Sequence, residues 1–227
     1  MSVACAMRRG GMLLGAAVLA VCMMSARAQT PSAQELAQRL SRSVDRHYDG
    51  LRTLKANFSE SYSGLGMERT ESGTLLLRKP GRMRWNYSTP AGKLFLIDGK
   101  FALFYTPGDR QVQRIPAKEL DDLRSPLRFL LGHTELEKEM VNLTATAAPN
   151  GGFVLSGQPK GQEKRVTRLA LTVTAGGEIT AIEAEETDGA TTRFSFTQEQ
   201  PNVPLAPETF RFTPPDGVPV VDALPPV

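Results

Sequence analysis

The order of apolar and polar residues predicts one amphipathic helix near the start of the chain. Ser32 and Glu35 stand three residues apart and match a capping box, a common beginning of a helix. Four apolar residues then recur at every fourth position: Leu36, Leu40, Val44 and Tyr48. Asp49 and Gly50 end the pattern, so we expect a helix whose single apolar stripe faces a partner.

From Leu54 onward the apolar period changes from four to two, which is typical of β-strands. Asp98-Gly99 between two apolar runs is a strong hairpin signal. The other connections are too short for crossover helices, so we expect antiparallel neighbours. Eleven strands are predicted on this basis: residues 54–62, 73–78, 83–87, 93–97, 101–106, 111–115, 141–146, 153–156, 166–174, 179–186 and 191–198.

The strand pattern is interrupted in the middle of the chain, where short helices are expected. Ser125-Pro126 is a helix start inside residues 120–131, and Gly132 is suited to the end of that helix. Residues 135–140 are expected to add another turn.

Two predicted strands are apolar on both faces. Residues 94–97 and 101–105 contain almost no polar side chain, whereas a sheet with one wet face alternates. Either a second sheet or outer helices cover the extra face, or the sheet curves strongly around an apolar cavity closed by short helices. The pattern alone leaves both arrangements open.

The first 28 residues have the features of a cleaved export signal. Two arginines precede an apolar run of about 14 residues, which is short for a membrane span. Residues 26–28, Ala-Arg-Ala, place the cut before Gln29. Val21 stands where a lipidation site at Cys22 would need a small residue. We therefore expect an exported, soluble protein with a single domain over residues 29–227.

Charge and cysteine content exclude several classes of protein. Three of the 27 basic residues, and none of the 24 acidic ones, lie in the leader, so the rest carries 24 of each. A neutral domain argues against nucleic acid as the main partner, because phosphate binding needs clustered lysine and arginine. Cys5 and Cys22 also lie in the leader, so the mature protein is expected to have neither disulfide nor thiolate metal site.

The sequence contains none of the common catalytic motifs, such as H-E-x-x-H, G-x-S-x-G or a phosphate-binding glycine-rich loop. His133 could serve a hydrolase as general base, but a surface histidine at a helix end is the favoured interpretation. Four carboxylates crowd one strand and are interpreted as a solvated face rather than a calcium site: Glu183, Glu185, Glu186 and Asp188. We expect a protein that is not an enzyme and uses no metal or cofactor.

Residues 73–87 carry the strongest resemblance to a known family. Their sequence, GTLLLRKPGRMRWNY, resembles the G-x-L-x-[LV]-x-[KR]-P-x-x-x-[RN]-W-x-[YM] stretch of the LolA family of periplasmic lipoprotein carriers. Further parts of the family pattern follow in order: Asp98-Gly99-Lys100, Tyr105 with Pro107, Gln111-Val112, Ser125-Pro126, Leu130-Leu131-Gly132 and residues 210–218. The resemblance covers nearly all of residues 33–220, and the ordered set is more specific than any single piece.

This resemblance implies an incomplete antiparallel β-barrel of eleven strands, with helices forming a lid over an apolar cavity. Carriers of the family are soluble monomers. They receive outer-membrane lipoproteins from a LolCDE-type transporter of the inner membrane and pass them to a LolB-type acceptor in the outer membrane. The alternative within the same fold is a lipid or lipoprotein binding protein that acts in glycolipid transport or envelope-stress sensing.

The resemblance also implies candidate site residues. Seven apolar side chains are expected to line the acyl-chain cavity: Leu75, Leu77, Met83, Trp85, Leu94, Leu96 and Phe104. For Trp85 and Phe104, core packing is favoured over lipid contact. The well-known carriers hold the lid shut with an arginine before the proline, where this chain has Lys79. Arg78, one place earlier and on the opposite face, and Arg84 are the other candidates for this latch.

Overall fold

The computed structural model describes residues 32–119, 135–149 and 151–223, which contain two α-helices and one sheet of twelve strands. The helices are α1 (Ala33–Asp49) and α2 (Leu136–Glu139). The strands are β1 (Thr53–Gly64), β2 (Met67–Arg78), β3 (Arg82–Thr89), β4 (Ala91–Ile97), β5 (Phe101–Tyr105), β6 (Val112–Pro116), β7 (Met140–Ala147), β8 (Phe153–Pro159), β9 (Val166–Val173), β10 (Ile179–Glu186), β11 (Thr191–Pro201) and β12 (Val220–Asp222). Short 3-10 helices lie at Ala117–Glu119 and Pro207–Phe210.

Helix α1 follows the prediction from its first turn to its last. The Ser32 side chain accepts a hydrogen bond from the Glu35 backbone, and the Glu35 carboxylate accepts one from the Ser32 backbone, which completes the capping box. Its buried stripe consists of Ala37, Leu40, Ser41, Val44 and Tyr48. The extra turn expected within residues 135–140 is α2, which confirms that prediction. The predicted leader, the helix within residues 120–131, Gly132 and His133 lie outside the described residues.

All eleven predicted strands are present, and the chain adds a twelfth. Strand β12 pairs in parallel with β6 and is only three residues long, too short to give a periodic signal. Strand β2 begins at Met67, six residues before the predicted Gly73, because it forms a long hairpin with β1. The first residues of β2 are exposed on both faces, so apolar periodicity could not reveal this extension.

The sheet is strongly curved, as one of the two arrangements that the sequence left open requires. The strand order is β12-β6-β5-β4-β3-β2-β1-β11-β10-β9-β8-β7. Strands β3 and β11 are three places apart, about 14 Å in a flat sheet with strands ~4.8 Å apart. Yet the rings of Trp85 on β3 and Phe194 on β11 lie 5.3 Å apart. Within the described residues no pairing joins β12 to β7, so the barrel is incomplete.

Both faces of the sheet are covered, as the doubly apolar strands required. The inner face holds the main core, and α1 packs against it beside β7. On the outer face, the segment around the 3-10 helix Pro207–Phe210 covers a second apolar cluster. Its members are Leu94, Leu96 and Phe210, with Leu76, Leu103, Leu205 and Phe212 packed against them.

Candidate functional site

Five of the seven predicted cavity residues share the inner face of β2, β3 and β5. Cross-strand pairing aligns Leu75 with Trp85 and then, through Phe95 on β4, with Phe104. Leu77 and Met83 form the adjacent pair on the same face. Together with Phe58, Phe194 and Phe196 from β1 and β11, these residues form a continuous apolar interior.

Leu94 and Leu96, the other two predicted cavity residues, do not belong to this inner apolar face. Both side chains pack in the outer cluster with Phe210, although Leu94 also borders the cavity described below. Because side chains alternate along a strand, Phe95 and Ile97 occupy the inner positions of β4 instead. The pairing of Trp85 with Phe95 across the β3–β4 hairpin was the signal that could have identified the inner set.

A cavity of about 490 Å³ lies between the two halves of the curved sheet. Its apolar wall is formed by Phe95 and Phe104 from one half and by Ile182, Ala184 and Phe194 from the other. Its polar residues include Glu60, Arg69, Tyr87, Lys93 and Arg165. The cavity is therefore lined by an apolar wall and by a larger number of polar and charged side chains.

Four charged side chains form an inner charge cluster at one end of this cavity: Glu60, Arg69, Glu71 and Lys93. Both carboxylates are buried. The Arg69 guanidinium lies 3.5 Å from Glu60 and 3.3 Å from Glu71, and the Lys93 ammonium also contacts Glu71. The Tyr87 hydroxyl donates a hydrogen bond of 3.2 Å to Glu60. The cluster thus brings two buried carboxylates together with two cations, of which Arg69 is more than half exposed.

Sequence reasoning missed the inner charge cluster, although the strand period contained a signal for it. Side chains two or four residues apart on a strand lie on the same face. Glu60 therefore shares the inner face with Phe58, Glu71 with Leu75, and Lys93 with Phe95. A charged residue at the end of an apolar stripe was the available clue.

Glu60 is expected to make the stability of the protein depend on pH. Burial, and next the nearby Glu71 carboxylate, raise the pKa of Glu60 above its ordinary 4.5. Its stabilising contribution is therefore fully present below the unfolded-state pKa and is lost as pH rises through the folded-state pKa. Glu60→Gln removes this titration while its amide oxygen can still accept from Tyr87.

We expect the unfolding free energy of Glu60→Gln, relative to the original protein, to increase as pH rises from about 4.5. Urea denaturation of both proteins at a series of pH values measures this difference. A constant difference across the series would show that Glu60 does not titrate as described.

On the other side of the barrel interior, Lys79 fastens the C-terminal end of α1. Its ammonium donates a 2.8 Å hydrogen bond to the Tyr48 carbonyl and lies 3.7 Å from the Asp49 carboxylate. Burial lowers the pKa of Lys79, and Asp49 partly offsets this effect. We call this contact of Lys79 with Tyr48 and Asp49 the α1 clasp.

The two arginines proposed as alternative latches act on the opposite face. The Arg78 guanidinium donates to the Leu205 carbonyl at 3.3 Å. That of Arg84 donates to the carbonyls of Thr209 and Arg211, both at 2.9 Å. They hold the C-terminal segment on the outer face, so of the three candidates Lys79 alone contacts α1 within the described residues.

A second polar contact holds the same end of α1 and was not predicted from the sequence. Glu199 on β11 accepts from the Tyr48 hydroxyl at 3.2 Å, and its other oxygen lies 2.6 Å from His47 Nε2. The Tyr48 hydroxyl in turn accepts from the Ile179 backbone at 3.0 Å. Burial raises the pKa of Glu199, and the His47 hydrogen bond opposes this shift. His47 therefore has a structural partner.

Two of the four carboxylates on the acidic strand form ion pairs with arginines. Glu183 is paired with Arg168 at 3.2 Å and with Arg193 at 2.9 Å, and Glu185 with Arg168 at 2.7 Å. Among the described residues, no group of three or more histidine, cysteine or acidic side chains is arranged to hold a metal ion. No helix in the same part of the chain is long and apolar enough to cross a membrane.

Comparison with known proteins gives one consistent family. The model of the family described as "Outer membrane lipoprotein carrier protein LolA" matches residues 49–213. An outer-membrane lipoprotein carrier protein of Nitrosospira multiformis is 30% identical over 177 residues, which are 76% of this chain and 84% of the relative. Another, from Nitrosomonas europaea, is 26% identical and covers 92% of this chain and 98% of its own length.

Among solved structures, an uncharacterized conserved protein from Thermus thermophilus has the same fold. It superposes with a TM-score of 0.54 at 13% identity and covers 83% of this chain and 99% of its own. The matched residues 49–213 contain the inner apolar face, the inner charge cluster and Lys79. With the family model spanning most of the sheet and a relative at 30% identity over three quarters of the chain, this protein belongs to the LolA family of outer-membrane lipoprotein carriers.

Proposed function

We propose that this protein carries outer-membrane lipoproteins and shields their acyl chains inside the curved sheet. The observation that carries the proposal is the apolar interior, with its cavity of about 490 Å³, in a chain of this family. Each acyl CH₂ group costs ~0.8 kcal/mol to leave exposed to water, so a lipoprotein needs such cover between two membranes. The cavity lies within the range of about 300–1,000 Å³ typical of ligand sites.

The proposed route of the cargo follows from the family and from the predicted leader. Residues 1–28 direct export and are removed, and residues 29–227 act as one domain in the periplasm. A LolCDE-type transporter loads the carrier, and a LolB-type acceptor in the outer membrane unloads it. The work of extracting the lipoprotein is done by the ATP-driven transporter, so the carrier needs no catalytic residue of its own.

Loading and unloading exchange one set of contacts for another. Helix α1 covers part of the inner face, and the α1 clasp holds its C-terminal end. Cargo that enters the interior replaces contacts of the covering helices, and their return favours release. An α1 clasp of moderate strength suits this cycle, because a carrier must both bind its cargo and release it.

A release assay tests the carrier role. Purified protein is added to spheroplasts whose new lipoproteins are labelled, and the medium is searched for a soluble one-to-one complex. Such a complex is the expected result. No release, with lipid still detected in the protein by native mass spectrometry, would favour glycolipid transport or envelope-stress sensing. Absence of both lipid and lipoprotein would contradict any lipid-binding role.

Lys79→Ala is expected to loosen α1 and to impair hand-over of cargo more than its uptake. The change removes a charge-assisted hydrogen bond and an ion pair at the end of α1. A loss of about 1.5 kcal/mol, the lower end of the range for hydrogen bonds to charged groups, corresponds to a shift of a little more than tenfold from closed to open protein. Hydrogen exchange of α1 amides measures the opening, and transfer to the acceptor measures hand-over.

Arg78→Ala is the matched control for this variant. It removes a neighbouring cation that contacts Leu205 on the outer face, so exchange in α1 should stay unchanged. Equal hand-over by Lys79→Ala and the original protein would rule out a latch role for Lys79.

A further inference from the structure

Trp85 combines deep burial with an unused hydrogen-bond donor. Only 2% of the residue is exposed, and its ring packs at 4.7 Å from Phe58 and 5.3 Å from Phe194 in T-shaped contacts. Its indole nitrogen, Nε1, is buried and has no hydrogen-bond acceptor among the described residues. Buried tryptophan N–H groups normally find a partner, so an orphaned one needs an explanation.

Trp85 is not part of the cavity lining, but it packs directly against residues that are. Trp85 is paired across the strands with Phe95, and its ring contacts Phe194; both of these residues line the cavity. Tyr87, two residues further along the same face of β3, is also part of the lining. The indole therefore lies in the layer directly behind three lining side chains.

The surroundings of Trp85 restrict the kind of acceptor that could reach it. The neighbouring rings of Phe58, Phe194 and Phe196 offer only the weak acceptor of an aromatic face. A carboxylate or phosphate would have to give up its hydration in this apolar region without a balancing cation. A neutral carbonyl oxygen attached to a hydrocarbon chain accepts one hydrogen bond and carries no charge that needs a balancing cation. It also brings its own apolar surface into this region.

We infer that the Trp85 indole N–H binds an acyl carbonyl oxygen of the cargo, an ester or an amide at the head of a fatty chain. This inference rests on the proposed carrier function and adds a polar contact to it. The interior then does more than exclude water.

The chain contains a single tryptophan, so one indole signal reports on this contact. In a ¹H–¹⁵N spectrum of the purified protein, we add methyl palmitate, N-methyl palmitamide or hexadecane as separate probes. A hydrogen bond to a carbonyl moves an indole proton downfield, whereas an aromatic face beneath it moves the proton upfield. We expect the ester and the amide to move the signal downfield and hexadecane to leave it without a downfield shift.

Two variants separate the effect of the N–H donor from the effect of aromatic packing around it. Trp85→Phe removes the N–H and keeps an aromatic ring, so it should weaken binding of the ester and the amide about three- to tenfold and leave hexadecane unchanged. Phe196→Leu alters the same aromatic cluster without removing a donor, so it should affect all three probes alike.

The outcomes distinguish this inference from the carrier proposal. Binding of the ester without a downfield shift, or equal losses for ester and hexadecane in Trp85→Phe, would overturn the inference and leave the carrier role intact. A downfield shift in a protein that releases no lipoprotein from spheroplasts would support the Trp85 contact and contradict the carrier role. Failure of all three probes to bind would contradict both. A response to only one carbonyl probe would identify whether the ester or the amide is the preferred ligand.

Discussion

Lys93→Met is expected to destabilise the protein by about 3 kcal/mol, the lower end of the range for breaking a buried ion pair. Lys93 contacts the buried Glu71 carboxylate, and its ammonium also lies 4.3 Å from the centre of the Tyr87 ring. Methionine keeps most of the side-chain length but leaves two buried carboxylates to share one cation. The cost stays at the lower end because Arg69 still lies 3.3 Å from Glu71.

Chemical denaturation at neutral pH measures this effect, and two further variants define its origin. Lys100→Met removes an exposed lysine and should change stability by no more than about 0.5 kcal/mol. Adding Glu71→Met to Lys93→Met should recover much of the loss, because it removes the uncompensated charge. A double variant as unstable as the sum of its parts would show that packing, rather than charge, explains the effect.

Gly177→Ala is expected to displace α1 and to cost about 3 kcal/mol. Gly177 lies in the turn between β9 and β10 with φ +96°, where an L side chain costs roughly 1–2 kcal/mol. A Cβ atom there would come within 2.2 Å of the Ser43 carbonyl oxygen and 2.7 Å of the Val44 backbone nitrogen in α1. Because both contacts are with backbone, the helix itself must move, and overpacking of this kind adds about 1–3 kcal/mol.

The neighbouring glycine provides a matched control for this displacement. At Gly176 a Cβ atom would meet nothing closer than 3.7 Å, so Gly176→Ala should be tolerated. Thermal unfolding measures the stability of both variants, and hydrogen exchange in α1 measures the displacement. If Gly177→Ala lowers stability without increasing exchange in α1, then the strain is confined to the turn and α1 is not displaced.

The secondary structure was largely predictable because it depends on local period and local capping. Four apolar residues at helical spacing and the capping box at Ser32 were enough to predict α1. The eleven strands followed from the period of two and from turns such as Asp98-Gly99, whose aspartate side chain accepts from the Lys100 and Phe101 backbones. The three-residue β12 and the polar start of β2 were not predicted, because neither has an apolar repeat.

The candidate site was predictable in part. Leu75 and Trp85 are cross-strand partners on the inner face, and a motif with clear alternation surrounds both of them in the sequence. Leu96 was misplaced because β4 is apolar on both faces, and such a strand contains no information about which face is the inner one. The inner charge cluster was missed because its residues come from three strands and meet only when these strands are paired.

The sequence by itself determined the type and order of the elements, the balance of charge and the family resemblance, because each of these is written in neighbouring residues. Only the tertiary structure decided the direction of curvature, the inner face of β4 and the partners of the three candidate latch residues. Lys79 meets a carbonyl 31 residues away, and Arg84 meets one 125 residues away on the other face. Such contacts depend on how the whole sheet curves, and a local pattern of apolar and polar positions is the same whichever way the sheet bends.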